Sequence, residues 1–157
     1  MRKFVTVVGV AALFSLAPLS AQGQVLLGPT LAFHDDADIG VGATVGFDAD
    51  NITEGFGFMG DLIFYFPDIG NFLEFNANAT YDIPVEGSTV LPFVLGGLNF
   101  ARGSFAGESD TDVNLNLGGG IAFDAGSLRP KAGLRLVVGD GSSFVLFATL
   151  PFVIGGN

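Results

Sequence analysis

The feature that most constrains the fold is a strict alternation of apolar and polar residues along three segments of the chain. Residues 72–83 carry Leu, Phe, Ala, Tyr or Ile at every second position after Phe72, and Glu, Asn, Thr or Asp between them. Residues 39–48 and 113–124 also follow a period of two. This period is typical of β-strands with two unlike faces, whereas amphipathic helices have a period of about 3.6 residues. The three segments are therefore predicted to be long β-strands.

Five further segments alternate less regularly or are apolar on both faces: residues 27–34, 56–66, 90–101, 128–138 and 144–154. The connections between predicted strands are rich in Gly, Pro, Asp, Asn and Ser, which favour turns. They comprise residues 35–38, 49–55, 67–71, 84–89, 102–112, 125–127 and 139–143. None can hold the crossover of about a dozen residues that parallel strands require. The chain is therefore predicted to be all-β, with eight antiparallel strands. Pro92 and Pro151 have no backbone N–H, so they weaken the hydrogen bonding between strands where a donor is needed.

The amino terminus has the make-up of a secretory signal peptide. Arg2 and Lys3 precede an uncharged, mostly apolar run at residues 4–19, and small residues predominate at positions 20–23. A positive start, an apolar middle and a small-residue end are the three parts of such a peptide. A transmembrane anchor is the alternative, but the run is short of the about 20 residues that a spanning helix needs. Residues 1–23 are predicted to be a signal-peptide helix and residues 24–157 a single exported domain.

The composition excludes several classes of protein. Charged residues make up 14% of the chain, against about 25% in typical globular domains. Six Lys and Arg against sixteen Asp and Glu leave no basic surface for nucleic acid. The absence of Cys excludes disulfides and thiolate metal sites, and the sequence contains no P-loop, dinucleotide-binding or zinc motif. Neither a cofactor nor a nucleic-acid partner is expected.

The polar faces of the predicted strands indicate which side meets water. They consist mainly of Gly, Asn, Thr and Ala, with almost no Lys, whereas soluble surfaces are about 25–35% charged. Small polar residues suit the narrow interior of an eight-stranded barrel, whose apolar face then meets lipid. We expect outward side chains at Val45, Phe58, Phe64, Phe75, Leu117 and Leu134, and inward side chains at Thr44, Asp61, Asn76, Asn116 and Arg135.

Three stretches resemble a known family. They are Leu-Pro-Phe-Val-Leu-Gly-Gly-Leu-Asn-Phe at residues 91–100, Leu-Asn-Leu-Gly-Gly-Gly-Ile at residues 115–121 and Leu-Arg-Pro-Lys-Ala-Gly-Leu-Arg at residues 128–135. They are similar to strands of the opacity-protein-like group of small outer-membrane barrel proteins. The resemblance implies an eight-stranded antiparallel up-and-down transmembrane β-barrel in the bacterial outer membrane, reached after export. The implied partners are outer-membrane lipid and the export and barrel-insertion machinery, and a monomer is expected.

Seven charged residues are predicted to form ion pairs in the barrel interior: Asp61, Glu74, Asp82, Asp124, Arg129, Lys131 and Arg135. An isolated buried charge is very costly, so charges inside a narrow barrel must pair. Counted along the strands, Arg135 lies at a depth comparable with Asp61 and Glu74, and the other four lie towards one end. We therefore expect Arg135 within ion-pair reach of Asp61 or Glu74, and Arg129 or Lys131 near Asp82 or Asp124. The predicted role is a structural plug, and a gate or narrow polar conduit is the alternative. A catalytic carboxylate pair is disfavoured because no nucleophile lies beside it.

His34 is the single histidine, and the acidic stretch 35–38 follows it. Alternation turns His34 inward, whereas a Ser–His–acid esterase on a barrel needs its site on the lipid-facing surface. We therefore expect His34 to lie on a solvated shoulder beside the loop. The acidic stretches 35–38 and 108–112 offer oxygen ligands for Ca²⁺, but their spacing fits no EF-hand loop. No catalytic, cofactor-binding or metal site is predicted.

The predicted function follows from these exclusions. The sequence indicates a non-enzymatic outer-membrane barrel with a structural or interaction role in the cell envelope, its interior filled by polar and charged side chains. A small channel for hydrophobic or small polar solutes is one alternative. A secreted soluble barrel that binds an apolar ligand is the other.

Overall fold

The computed structural model describes residues 23–155, so the predicted signal peptide lies, except for Gly23, outside the described residues. Nine β-strands lie in this range: β1 (Val25–His34), β2 (Asp38–Asp48), β3 (Phe56–Tyr65), β4 (Asn71–Asp82), β5 (Val90–Phe105), β6 (Glu108–Phe123), β7 (Lys131–Val138), β8 (Ser142–Thr149) and β9 (Phe152–Gly155). Among residues 23–155 there is no helix with the length and apolar character to cross a membrane.

The strands form one closed antiparallel sheet. β1 to β8 pair in chain order, and β1 closes the sheet by pairing with β2 on one side and with β8 and β9 on the other. The pairs Thr30–Thr149 and Leu27–Phe152 share one register, so β9 continues β8 across a short break. The break contains Pro151, which has no backbone N–H to donate. β8 and β9 therefore make one barrel strand, and the predicted eight-stranded barrel is confirmed.

The barrel has two unlike ends. The distal end, as we call it, lies away from residues 23 and 155 and carries short turns at residues 35–37, 66–70, 106–107 and 139–141. The terminal end holds residues 23 and 155 and carries longer loops at residues 49–55, 83–89 and 124–130. The end of β1 and the start of β4 therefore lie together at the distal end.

The predicted connection at residues 102–112 is not a loop. β5 and β6 continue through it and are joined by the two residues Ala106 and Gly107. Both have positive φ, at 51° and 83°, as the type I′ turn of a tight hairpin requires. The pairing of β6 with β7 begins only at Leu115, so residues 108–114 extend beyond β7 at the distal end. The polar composition of this stretch is that of an exposed hairpin.

Exposure confirms the predicted facing. The inward set is buried, with 4% exposure or less: Thr44, Asp61, Asn76, Asn116 and Arg135. In the outward set Phe58, Phe64, Leu117 and Leu134 are exposed, while Val45 and Phe75 are half-buried. Phe75 is covered by its neighbour Phe100, at a ring-centroid distance of 6.0 Å. The apolar faces thus form the exterior of the barrel and the polar faces line its interior.

The interior is more apolar than the sequence predicts. It contains the buried side chains of Ile63, Phe93, Leu95, Val145 and Phe147, so an interior filled by polar and charged side chains holds only in part. Four of these five belong to the segments 90–101 and 144–154, which are apolar on both faces. Successive side chains of a strand point to opposite faces, so one apolar set has to turn inward.

Candidate functional site

A cluster of three charged side chains crosses the middle of the interior. Nη1 of Arg135 lies 3.3 Å from Oδ2 of Asp61, and Nη2 lies 3.3 Å from Oε2 of Glu74. The three side chains come from β7, β3 and β4 and are at most 3% exposed. The hydroxyl of Tyr65 donates a further hydrogen bond to Oε2 of Glu74, at 2.9 Å. The interior thus holds two carboxylates against one guanidinium.

A ladder of asparagines extends from this cluster across β4, β5 and β6. Nδ2 of Asn76 donates to Oδ1 of Asp61 at 2.7 Å, and Nδ2 of Asn99 donates to Oδ1 of Asn76 at 2.8 Å. Nδ2 of Asn114 donates to Oδ1 of Asn99 at 3.0 Å, and Nδ2 of Asn116 donates to Oδ1 of Asn76 at 2.9 Å. Buried amides joined in this way order the interior, because each unpaired amide would be costly.

An aromatic layer lies beside the charged cluster. The rings of Phe93 and Phe147 have centroids 6.3 Å apart, and the guanidinium of Arg135 lies 5.6 Å from the Phe147 ring centroid. Nζ of Lys131 lies 5.0 Å from the Phe93 ring centroid, within the range of a cation–π contact. Gly133 makes room for both rings, since a Cβ there would lie 3.0 Å from one and 3.1 Å from the other.

The other four predicted site residues form two pairs at the terminal end. Nζ of Lys131 lies 2.7 Å from Oδ1 of Asp82, with side chains 15% and 23% exposed. Nε of Arg129 lies 3.3 Å from Oδ1 of Asp124, and these side chains are 29% and 47% exposed. The second pair belongs to the loop at residues 124–130 and lies outside the interior. The seven residues therefore occupy three separate groups.

Several residues at the centre of the interior were not among the predicted site residues. Tyr65 and the asparagines of the ladder bind the charged groups. They were not predicted because the prediction considered only residues with a formal charge. The available signal is the recurrence of Asn at alternate positions, 76 and 78 on one strand and 114 and 116 on another. Alternate positions share a face, so these pairs predict two inward asparagine rows.

His34 lies in a buried position, contrary to the expected solvated shoulder. It is 3% exposed, because it is the last inward residue of β1 and the following turn covers it. Its ring meets the rings of Tyr65 and Phe72 edge to face, at centroid distances of 5.4 and 5.2 Å. Its Nδ1 accepts a hydrogen bond from the backbone N–H of Asp36, at 3.0 Å.

The surroundings of His34 resemble those of a hydrolase triad but lack its protonation pattern. Oγ of Ser143 lies 3.4 Å from Nε2, and Oδ1 of Asp35 lies 3.4 Å from Nδ1. A triad needs a proton on Nδ1 and a free lone pair on Nε2 that accepts the serine proton. Here Nδ1 accepts the Asp36 N–H, so a neutral ring carries its proton on Nε2. His34 is therefore not placed to act as a general base towards Ser143.

The same hydrogen bond weakens a metal site at this turn. Ligand atoms of His34, Asp35 and Asp36 lie within 4.8 Å of one another. The two carboxylates are exposed, and the Nδ1 lone pair already accepts the Asp36 amide proton. A metal ion at Nδ1 would have to displace that bond. The turn therefore offers no preformed metal centre.

Comparison with known proteins identifies the fold. No protein-family model matches the sequence, and no curated protein matches it at a significant level. The N-terminal β-barrel domain of Pseudomonas aeruginosa OprF matches with a TM-score of 0.68 at 15% identity, covering 83% of this chain and 97% of that domain. Neisserial surface protein A, NspA, matches with a TM-score of 0.63 at 19% identity, covering 84% of this chain and 97% of that one.

A third match is Ail, the attachment invasion locus protein of Yersinia pestis. Its TM-score is 0.57 at 15% identity, with 85% of this chain and 98% of that chain covered. Another structure of Ail contains the heparin analogue sucrose octasulfate. At these identities the likeness is one of fold. The chain has the fold of small eight-stranded outer-membrane β-barrels, as its resemblance to the opacity-protein-like group implies.

Proposed function

We propose that this chain is a non-enzymatic barrel of the bacterial outer membrane with a structural or interaction role in the cell envelope, and that its interior is closed. The observation that carries the proposal is the complete burial of side chains at mid-depth. Ile63, Glu74, Asn99, Arg135 and Val145 each have 0% exposure. A water-filled conduit leaves its lining side chains accessible to water, so this section of the barrel has the burial expected of a plug.

The chemistry of the plug agrees with a structural role. Arg135 contacts both Asp61 and Glu74, and the aromatic rings of Phe93 and Phe147 lie beside it. Charged groups in a low-dielectric interior are stable only when they are paired and hydrogen-bonded. Opening a path through this section would separate these pairs and expose apolar rings to water. Both changes oppose the small-channel alternative.

The outer surface supports a membrane location over the soluble alternative. Large apolar side chains are exposed all around the barrel, for example Leu31 at 56%, Leu62 at 50%, Leu117 at 58% and Leu146 at 50%. A continuous exposed apolar surface of this kind is rare on soluble monomers. We infer that lipid covers it, that residues 1–23 act as a cleaved signal peptide, and that the monomer is inserted by the barrel-insertion machinery.

The distal end favours cationic over polyanionic partners. It carries eight acidic residues: Asp35, Asp36, Asp38, Asp68, Glu108, Asp110, Asp112 and Asp140. Arg102 is the one Lys or Arg there among the described positions. This charge would repel a sulfated ligand of the kind seen with Ail. An interaction role at this end therefore calls for a partner with positive charge.

Planar-bilayer recording tests the closed interior. The purified protein, inserted from detergent, is expected to give no discrete conductance steps, because the plug excludes ions. A porin added to the same bilayer provides the positive control for insertion and detection. Reproducible steps from the purified protein, with a conductance that changes in Arg135→Ala, would favour the channel alternative over the plug.

A further inference from the structure

A cavity of about 240 Å³ lies at the distal end, above the charged cluster. The carboxylates of Asp36, Glu74 and Asp112 line it, and the described residues around it include no Lys or Arg. The ring of Phe72 and the side chain of Val137 supply apolar wall. The cavity therefore combines acidic groups with apolar surface, a combination that suits a cation with a hydrocarbon part.

Glu74 lines this cavity, and one of its carboxylate oxygens has no hydrogen-bond donor among the described residues. Its Oε2 is bound by Tyr65 and by Arg135, whereas Oε1 receives no hydrogen bond from residues 23–155. The side chain is fully buried. Nε2 of His34 lies 3.5 Å from Oε1, beyond the usual N–H···O range of about 2.7–3.2 Å. A buried carboxylate oxygen without a donor is costly, so Oε1 has a strong preference for a ligand that donates to it.

The charge balance indicates the sign of that ligand. The carboxyl groups of Asp61 and Glu74 share the single guanidinium of Arg135, so carboxyl groups outnumber cationic groups beneath the cavity. The ring of His34 does not supply the missing positive charge, because its Nδ1 accepts the Asp36 N–H and a protonated ring has no acceptor. The acidic groups of the distal end also draw cations towards the opening.

We propose that this cavity binds a small organic cation, a primary alkylammonium whose N–H groups donate to Oε1 of Glu74. Its hydrocarbon part lies against the apolar wall formed by Phe72 and Val137, and Asp36 and Asp112 bind positive charge nearer the opening. The cavity volume equals that of several water molecules, at about 30 Å³ each, and is larger than a bare metal ion needs. Nε2 of His34 carries a proton and offers no lone pair to a metal.

The same alkylammonium chemistry occurs in free aliphatic diamines and in the lysine side chain of a partner protein. Isothermal titration calorimetry of the purified protein in detergent micelles separates the two sources, with 1,4-diaminobutane and Nα-acetyl-lysine amide as probes. Saturable binding of the diamine alone assigns the site to free amines. Stronger binding of the lysine probe assigns it to a partner side chain. Either result supports the proposal.

Two variants test the residues. Glu74→Gln removes the charge at the floor of the cavity, and Asp36→Asn with Asp112→Asn removes two charges near its opening. Each is expected to weaken binding of the preferred probe about tenfold or more, because charge-assisted hydrogen bonds become neutral ones. Asp36 and Asp112 are exposed, so that double variant retains the fold and decides the question even where Glu74→Gln does not fold.

The matched control is Asp68→Asn with Asp140→Asn. It removes the same charge from the same end of the barrel, at two residues that do not line the cavity. Its affinity for the probe is expected to stay within about twofold of the parent protein, since long-range attraction is screened by salt. Equal weakening in both double variants would overturn the proposal, as would no saturable binding of either amine. Binding of ZnCl₂ in place of the amines would also overturn it.

Discussion

Arg135 is the residue on which the interior depends, because it is the one cation in contact with two buried carboxylates. Removing one partner from a buried pair leaves the remaining charge without compensation. This destabilises a protein more than replacing the whole pair by apolar residues does. Asp61 retains the amide of Asn76 and Glu74 retains the hydroxyl of Tyr65. Neither neighbour carries positive charge. The stability of the barrel should therefore depend strongly on this one guanidinium.

Arg135→Ala is expected to lower the free energy of unfolding by about 3–5 kcal/mol, since both carboxylates stay buried without a cation. The matched control is the adjacent, outward-facing Leu134→Ala, for which a smaller loss is expected because Leu134 is 43% exposed. Urea unfolding in detergent micelles, followed by circular dichroism, measures both. Equal shifts of the two unfolding midpoints would mean that Arg135 is solvated and that the interior is wet.

The sequence predicts which interior charges meet, because counting residues along the strands places Arg135 at the depth of Asp61 and Glu74, and the structure pairs it with both. The uncharged partners in the interior were not predicted, because their contacts depend on the stagger of strands that are far apart in the chain. Alternation specifies the face of a side chain and says little about its height relative to a distant strand. The asparagine ladder and the contact of His34 with Ser143 across the closing strands depend on the same stagger.

At the scale of elements, strand identity was predictable and the length of one hairpin was not. The alternation in residues 72–83 and 113–124 predicts β4 and most of β6 because both faces differ in polarity. Residues 102–112 are rich in Ser, Asp and Gly, so they read as a loop. A strand that extends past its neighbour β7 is solvated on both faces, and its composition then carries no alternation. For this reason the composition of residues 102–112 does not indicate the tight turn at Ala106.

The turn of this hairpin provides a test at the same scale. Ala106 has a φ of 51°, a left-handed conformation that costs an L-residue about 1–2 kcal/mol. Asn tolerates this conformation and is preferred before Gly in type I′ turns. Ala106→Asn is therefore expected to raise the free energy of unfolding by about 0.5–1 kcal/mol. Thermal unfolding of the purified protein in micelles measures the gain.

The paired control for this test is Ala106→Val. A β-branched side chain disfavours positive φ, so this variant is expected to shift the unfolding temperature in the opposite direction. Ala106 is exposed, in a turn remote from the interior, so neither substitution changes the interior. If Asn and Val at this position shift the unfolding temperature alike, the hairpin turn does not have the type I′ conformation.

At the scale of the whole molecule, closure and facing together decide what surrounds the barrel. β1 pairs with β2 on one side and with β8 and β9 on the other, so the described sheet is closed, and only the hairpin end at residues 108–114 extends beyond its neighbour β7. A closed sheet satisfies its backbone hydrogen bonds internally, which is the condition for crossing lipid. The polarity of the exterior then decides whether water or lipid surrounds the barrel. Its exposed Leu, Val and Phe side chains favour the hydrocarbon of a bilayer.

A charge placed on this exterior tests the inference directly. Leu146 lies on the outward face of β8 and is 50% exposed, so in the proposed membrane location an arginine there would face hydrocarbon. Leu146→Arg is expected to destabilise the barrel in lipid vesicles by about 2–4 kcal/mol. The control is Ile69→Arg, in the distal turn at residues 66–70 and 69% exposed, which is expected to cost at most about 1 kcal/mol. Refolding into vesicles at increasing urea, read by the mobility shift of folded barrels on unheated gels, compares the two. If Leu146→Arg were as stable as Ile69→Arg, water would surround the apolar exterior of the barrel. The soluble barrel that binds an apolar ligand would then become the better description.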